Sequence, residues 1–347
     1  DIIKYRLNEW SEIMSKKINF NMMAKKTKSP EFSGVISIVE NDKIIFEDCN
    51  GYADRANKRK INMNTRFAIA SGTKMFTAVG IMKLIEMDKL KLEDKALELI
   101  PKKFPTYDQN ITIKHLLTHT SGIPDYFDED AIAAGVDMKQ TIPNYDLNKP
   151  SDYLELMPNK EMKFKPGEDF NYNNSAFVLL AIIIERLTGD YHQWIEKEVL
   201  QKANMSSSGF FKMDQLPKNT AIGYLETENS SNKSNVYKLP IIGGGDGGMY
   251  TTAKDMNRFW NAFMNGKIVN KDIVREMIIP HSKTTNLSYG LGVWLEPNEE
   301  SYNPILFGQD PGVSFESSFN IKTMEKYTVI SNTEKGAWIL SAVIQGD

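Results

Sequence analysis

The sequence predicts a discontinuous α/β domain carrying a helical insertion. Two observations carry that prediction. The stretch "SGVISIVENDKIIFEDCNGYAD" (33–54) reads as a β-hairpin, and the last thirty residues read as strand, turn, strand and helix. Between them the chain is dominated by helical patterns and prolines. Because both ends look like parts of one sheet, the sheet domain takes residues 1–85 and 240–347. The mostly helical insertion takes residues 86–239, and the active site is expected at the interface of the two.

Taken in order, Leu7, Trp10, Met14 and Ile18 fall at helical spacing, which predicts an opening amphipathic helix within 2–24. In the hairpin, Val35, Ile36, Ile38 and Val39 form one arm, Asn41-Asp42 the turn, and Ile44 to Phe46 the other arm. A helix follows at about 72–88. Seven prolines between Pro101 and Pro166 divide the next region into short helices and loops. "NNSAFVLLAIIIERLTGD" reads as a strong helix, with Asn173 or Asn174 as cap and Gly189 closing it. The polar stretch 225–237 reads as a surface loop or hairpin tip. "GGGDGGMYTTAKDMNRF" gives a glycine-rich turn and then a helix, with Thr252 and Asp255 placed for a capping box. The end predicts strands at about 315–321 and 326–331 and a helix at 334–344.

Composition narrows the function classes. The chain has 347 residues, with 41% hydrophobic and 25% charged, an ordinary globular balance that supplies a core without a disulfide or metal staple. A net charge of −3 and the lack of any polybasic run argue against nucleic acid or a membrane surface as partner. The single cysteine, Cys49, has no internal partner, and the four histidines lack zinc-hydrolase spacing. No apolar run reaches the length of a membrane span; "AFVLLAIII" (176–184) is too short. No signal peptide is visible, although the chain starts at Asp1 rather than at a methionine.

The segment "FAIASGTKMFTAVGIM" (67–82) holds one charged side chain, Lys74, in an otherwise apolar, small or hydroxyl-bearing run. Ser71 and Lys74 are three apart, so a helix sets them on one face. Ser71 also falls at the predicted helix start, where free N–H groups and the dipole favour an oxyanion. A lysine held against such an apolar wall loses hydration, and its pKa falls. A neutral amine beside a hydroxyl is a general base beside a nucleophile. An isolated S-x-x-K is more often a lysine that snorkels to solvent. A second element changes the balance. "KPGEDFNYNNS" places Tyr172 and Asn174 as Y-x-N at the start of another buried helix. S-x-x-K with an S-D-N-type second element and a K-T-G element is the signature set of β-lactamases and penicillin-binding proteins, and here Tyr172 replaces the Ser of the second element.

On these motifs the chain resembles the class C β-lactamase-related serine hydrolases, which include penicillin-binding proteins, D-Ala-D-Ala carboxypeptidases, D-amino-acid peptidases and esterases. "RFAIASGTKMFTAVGIMKLIEMDKLKLEDK" is similar to the family's nucleophile segment, and "ITIKHLLTHTSGIPDY" to its most recognisable stretch. "FKPGEDFNYNNSAFVLLAIIIERLTG" and "GGMYTTAKDMNRF" extend the likeness over nearly the whole chain. The resemblance implies an α/β (α+β) fold of the β-lactamase/transpeptidase type: an antiparallel sheet flanked by helices, with an inserted all-helical domain. It also implies roles. Ser71 is the acylated nucleophile, Lys74 and Tyr172 share acid/base work, and Asn174 holds the amide or ester side of the substrate. His119, in "LLTHTSG", is implied to be part of a structural turn rather than a triad base.

The family's third element, K-T-G or H-x-G, departs from pattern here. After "YGLGVW" (289–294), the matching stretch is "FGQDPGVSFESS" (307–318). Gln309 then stands at the Lys or His position and Pro311 at the glycine. The N–H of Gly312 is expected to join that of Ser71 as the oxyanion hole. Gln309 is a neutral substrate contact in place of a cation, and Asp310 makes the local field more negative. "KTT" (Lys283 to Thr285) is a rival third element, but it precedes the "YGLGVW" strand and lacks the glycine. The expected function is a serine hydrolase acting through an acyl-enzyme on an ester or D-amino-acid-type amide. It needs no metal or organic cofactor. A catalytically weak relative that binds a peptidoglycan-like ligand as a sensor is the alternative. An extracytoplasmic location is favoured by the resemblance; oligomeric state has no signal in the sequence.

Overall fold

The computed structural model describes residues 18–129, 132, 141–226, 232–299 and 301–346. Most of the expected opening helix lies outside these residues. The described chain begins with α1 (Phe20–Thr27), whose start Asn19 caps by accepting the N–H of Met22. The hairpin follows as β1 (Gly34–Glu40) and β2 (Lys43–Asn50). Its turn residues Asn41 and Asp42 both have positive φ, 46° and 61°. Tight two-residue hairpins demand that conformation, and Asn and Asp tolerate it. The small strands β3 (Tyr52–Asp54) and β4 (Arg59–Lys60) pair with each other. Next, β5 (Phe67–Ala68) leads into a 3₁₀ turn (Ala70–Gly72) and α2 (Thr73–Glu86).

The prolines do break the following region into short pieces, among them α3 (Ile113–Leu117) and 3₁₀ turns. Then come α4 (Asn174–Thr188) and α5 (Tyr191–Ile195). The α4 helix is capped by Asn173 and closed by Gly189 at φ 95°. After β6 (Tyr250–Thr251) come α6 (Ala253–Met264) and α7 (Lys271–Met277). Thr252 caps α6 as expected, by accepting the N–H of Asp255. The reciprocal half of a capping box is absent, because the Asp255 carboxylate is taken by Ser207, Ser208 and Arg258.

The chain ends with β7 (Ser282–Lys283), β8 (Ser288–Tyr289), β9 (Trp294–Pro297), β10 (Tyr302–Asp310), β11 (Val313–Phe319), β12 (Glu325–Ser331) and α8 (Gly336–Gln345). One eight-stranded sheet runs in the order β2-β1-β12-β11-β10-β9-β8-β7. Its pairings are antiparallel, and β1 lies against β12 with Gly34 opposite Ser331. The two ends of the sequence therefore do share a sheet. Among the described residues, 86–239 contribute no strand to it.

Alternation along the strands explains how both faces are covered. Val35, Leu306, Phe315 and Ile330 face the larger core with α2, α4 and α6. Ile36, Ile305, Phe307 and Val329 face a second core under Ala337, Leu340 and Val343 of α8. A sheet buried on both sides reads as near-continuous apolar runs, as "VISIV" in β1 does.

Candidate active site

The site is built where β5 delivers the chain into α2. Ala68 pairs with Tyr250, and the N–H of Ile69 donates to the Met249 carbonyl. Ala70 then takes φ 46°. That left-handed conformation costs an alanine about 1–2 kcal/mol, and it turns the chain sharply just before Ser71. The Ala70 carbonyl accepts from the Thr73 hydroxyl at 2.7 Å, and Thr73 Oγ1 accepts the N–H of Met249. Two glycines let the sheet press on this turn. A Cβ on Gly72 would meet the Phe315 ring at 2.4 Å, and one on Gly308 would meet the Ile69 carbonyl oxygen at 2.1 Å. The turn carrying Ser71 is thus clamped against β10 and β11.

Lys74 does not snorkel. Eleven of the fourteen α2 residues are buried, and Lys74 itself is 2% exposed. Its Nζ lies 2.9 Å from Ser71 Oγ, 2.8 Å from Asn174 Oδ1 and 2.7 Å from the Asp246 carbonyl oxygen. Asn174 Oδ1 and the Asp246 carbonyl can only accept, so the amine donates to both. Its third direction points at the Ser71 hydroxyl. In the neutral amine that direction is the lone pair. Burial pushes the Lys74 pKa down, and the carboxylates of Asp246, Glu129, Asp125 and Asp310 offset part of that push.

Tyr172 comes from the segment just before α4. Its phenol has the Ser71 side chain as a hydrogen-bond partner, and Lys74 Nζ lies 4.9 Å from its ring centre. Desolvation and the nearby Glu129 carboxylate hold the phenol well above the usual tyrosine range, and Ser71 acts weakly the other way. It is therefore a protonated donor at rest. Its ring stacks on Trp294 and packs on His119, with centroids 5.9 and 4.5 Å apart.

His119 is a strut, as the family likeness implied. Its Nδ1 accepts the N–H of Asn173 at 3.1 Å. The proton therefore sits on Nε2, which faces the Tyr289 hydroxyl at 3.2 Å. Complete burial and the Lys74 charge push its pKa well below the ordinary histidine value. Both nitrogens are occupied within the scaffold that supports Tyr172, leaving neither for Ser71.

Asn174 is 4% exposed and borders the cavity. Both ends of its amide are already engaged: Oδ1 by Lys74, and Nδ2 by the Phe127 carbonyl at 3.0 Å and by Asp125 and Glu129 at 3.3 Å. The expected substrate contact therefore competes with the protein's own hydrogen bonds.

The third element is where the expectations need correcting. β10 and β11 are joined by a two-residue turn, Pro311-Gly312, with Asp310 opposite Val313 and Gly312 at φ 73°. The turn carries Gly312 away from Ser71. Its N–H serves the Glu334 carboxylate, and its Cα packs on Gly223 and Tyr224, so it is not aimed at an oxyanion. Gln309 is also misplaced by the linear reading. Gly308 faces the nucleophile turn, so Asp310 shares that face and Gln309 takes the other. Gln309 is exposed and outside the cavity lining, whereas Asp310 and Pro311 are in it. The rival "KTT" begins on the edge strand β7, with Lys283 exposed, and no part of it lines the cavity.

Three acidic residues, Asp125, Asp246 and Glu129, were not singled out by the sequence, and a fourth, Asp310, was noted only for the field it adds. Asp125 caps α4 by accepting the N–H groups of Asn174 and Ser175 at 2.7 and 2.8 Å. Burial raises its pKa to about 6 despite those bonds. Asp246, in the glycine run 243–248, gives its carbonyl to Lys74 and its carboxylate to the Tyr126 hydroxyl. Glu129 is exposed at the mouth, and Asp310 lies deeper, at a pKa raised to about 7 by burial, with the Lys74 charge lowering it and Asp246 and Glu129 raising it. The one available signal was compositional: a charged residue in a run of five glycines, and another directly after Gly-Ile-Pro. Among the described residues no cluster of His, Cys, Asp and Glu could hold a metal ion, and no helix is long and apolar enough to cross a membrane.

This fold, with a serine and a buried lysine at the start of a helix beside an antiparallel sheet, defines a serine hydrolase of the β-lactamase/transpeptidase type. Comparison with known proteins gives the family. The Beta-lactamase family model matches residues 21–317, and the chain belongs to that family. PbpX of Bacillus subtilis (strain 168) is 28% identical over 338 residues, which is 96% of this chain and 80% of that protein. A penicillin-binding protein from Bacillus halodurans superposes with a TM-score of 0.87 at 37% identity, covering 94% of this chain and 99% of that one. The D-amino acid amidase of Ochrobactrum anthropi SV3 shares the fold, with a TM-score of 0.75 at 20% identity over 94% of this chain and 97% of its own.

Proposed function

We propose that this member of the family hydrolyses an ester or a D-amino-acid-type amide through an acyl-enzyme on Ser71. The observation that carries the reading is the triple contact of Lys74 Nζ. Two obligate acceptors fix two of its hydrogens, and its third direction meets the Ser71 hydroxyl at 2.9 Å. Neutral Lys74 takes the Ser71 proton as Oγ bonds to the substrate carbonyl carbon. The oxyanion is held by the Ser71 N–H, and we place the second donor in the β10 backbone at 308–310, which lies against the turn. When the tetrahedral adduct collapses, the leaving group takes a proton from the Tyr172 phenol, and the proton on Lys74 passes to Tyr172. Water then repeats the sequence on the acyl group. Asn174 acts mainly by orienting Lys74, and it turns to substrate only if the Glu129 contact opens.

The completeness of this network speaks against a sensor that only binds. A small or peptide-like substrate outside the cytoplasmic membrane fits the penicillin-binding protein relative. The test is mass spectrometry of the intact protein after incubation with a fluorescent penicillin and with activated acyl esters. One acyl group should appear on Ser71 and be missing in Ser71→Ala. No adduct with any probe would overturn the reading.

A further inference from the structure

Resting on that hydrolase reading, we infer that the pocket selects substrates bearing an ammonium group beside a bulky apolar group and disfavours carboxylates, with Asp310 as the specificity-determining residue. A cavity of about 260 Å³ opens next to Ser71. Much of its wall is apolar, with Leu147, Phe211, Met213 and Tyr250 among the lining residues. Three carboxyl groups border it: Glu129, Asp246 and Asp310.

Their partners differ. Asp246 accepts from the Tyr126 hydroxyl at 2.6 Å, and Glu129 accepts from Asn174 at 3.3 Å. The Asp310 carboxylate has no hydrogen-bond or ion-pair partner among the described residues. It is half-buried, so water alone serves it poorly. It is also close to the reaction centre. A Cβ on Gly247 would lie 3.9 Å from Asp310 Oδ2 and 3.6 Å from the Ala70 carbonyl, one residue before the nucleophile.

Among the described residues Lys74 acts on Asp310 through its charge alone, without contact. Its Nζ donates to Asn174 Oδ1 and the Asp246 carbonyl and meets the Ser71 hydroxyl, and the charge is gone when it acts as base. Lys238 also borders the cavity, but its side chain is exposed to solvent. Burial raises the Asp310 pKa to about 7 against the opposing Lys74 charge, and an ammonium in direct contact would lower it. A substrate carboxylate would instead face three carboxyl groups, and like-charge juxtaposition is strongly unfavourable. The apolar wall supplies the second requirement, because a small polar amine alone would leave it wet.

The test is a panel of activated esters sharing one phenylpropanoyl body. One member carries an ammonium on the acyl side, one an ammonium on the leaving group, one no charge, and one a carboxylate. Each kcat/KM is divided by the alkaline hydrolysis rate of the same ester. At least one ammonium ester should exceed the neutral one by about tenfold, with the carboxylate slowest. Which ammonium ester leads assigns the side. Asp310→Asn should bring the ratio to within about twofold of unity, and Glu129→Gln should lower it part of the way. The second variant keeps the proposal testable if the first fails to fold. Equal rates across the panel, a carboxylate preference, or a ratio that survives Asp310→Asn would overturn the proposal while Ser71 adducts leave the hydrolase standing. If no ester acylates Ser71, both fall together.

Discussion

The two walls of the pocket are built on opposite principles. On the α2–α4 wall the polar groups nearest Ser71 are satisfied. Lys74 has three partners, Asn174 has partners at both ends of its amide, and His119 uses both ring nitrogens. On the β10 wall the Asp310 carboxylate has no hydrogen-bond or ion-pair partner among the described residues. A buried network that is fully satisfied is stiff and holds one geometry, which acid/base chemistry needs. A half-buried group left without a partner stores an electrostatic cost that only the right ligand removes. The first wall reads as machinery and the second as selection.

The sharpest way to break this comparison is to strike the first wall. Lys74→Met should lower the acylation rate by about 10²–10⁴-fold, and Tyr172→Phe by about 10²-fold. Both should leave the far-ultraviolet circular dichroism unchanged. If Lys74→Met acylates at the native rate, the wall described as machinery is only packing.

A second test uses pH and stability. Asp125 is raised to about 6, and Asp310 and Glu296 to about 7, with burial the first cause in each. Their unfolded values lie near about 4. The fold therefore binds these protons more tightly than the open chain does. The stability they allow is present below that unfolded value and is lost as pH rises through about 6 to 7. The urea midpoint should fall between about pH 5 and pH 7.5, and Asp310→Asn should shrink the upper part of the fall, leaving the share due to Glu296. Lys74, lowered by burial, works with the opposite sign at higher pH. A midpoint that rises across this window would mean the β10 wall is better solvated than its geometry indicates.

The smallest effect is expected at Gln309. Because it is exposed on the far face of β10, Gln309→His should change β-lactam acylation by no more than about twofold, the range of ordinary surface substitutions. A large gain would return Gln309 to the pocket, and the division of the two β10 faces would fail.

The sequence was most informative where geometry is local. Ser71 and Lys74 meet because residues three apart at a helix start share a face, and the apolar surroundings of α2 keep Lys74 from reaching solvent. Asn173 and Gly189 bound α4 through hydrogen bonds within a few residues. Asn41-Asp42 makes its hairpin for the same reason. The family likeness added Tyr172, about a hundred residues from Ser71, and no spacing rule could have supplied it.

By itself, then, the sequence placed Ser71 beside Lys74 at a helix start and put strands of one sheet at both ends of the chain. Only the tertiary structure decided which face of β10 looks at Ser71. A strand's side chains alternate, so a single step along it exchanges inside for outside. The early Pro311-Gly312 turn, and the contact of Gly308 with the Ile69 carbonyl, set that step here. They turn Gln309 and the Gly312 N–H away and bring Asp310 in, and so the charge that lines the cavity is fixed by register rather than by residue order.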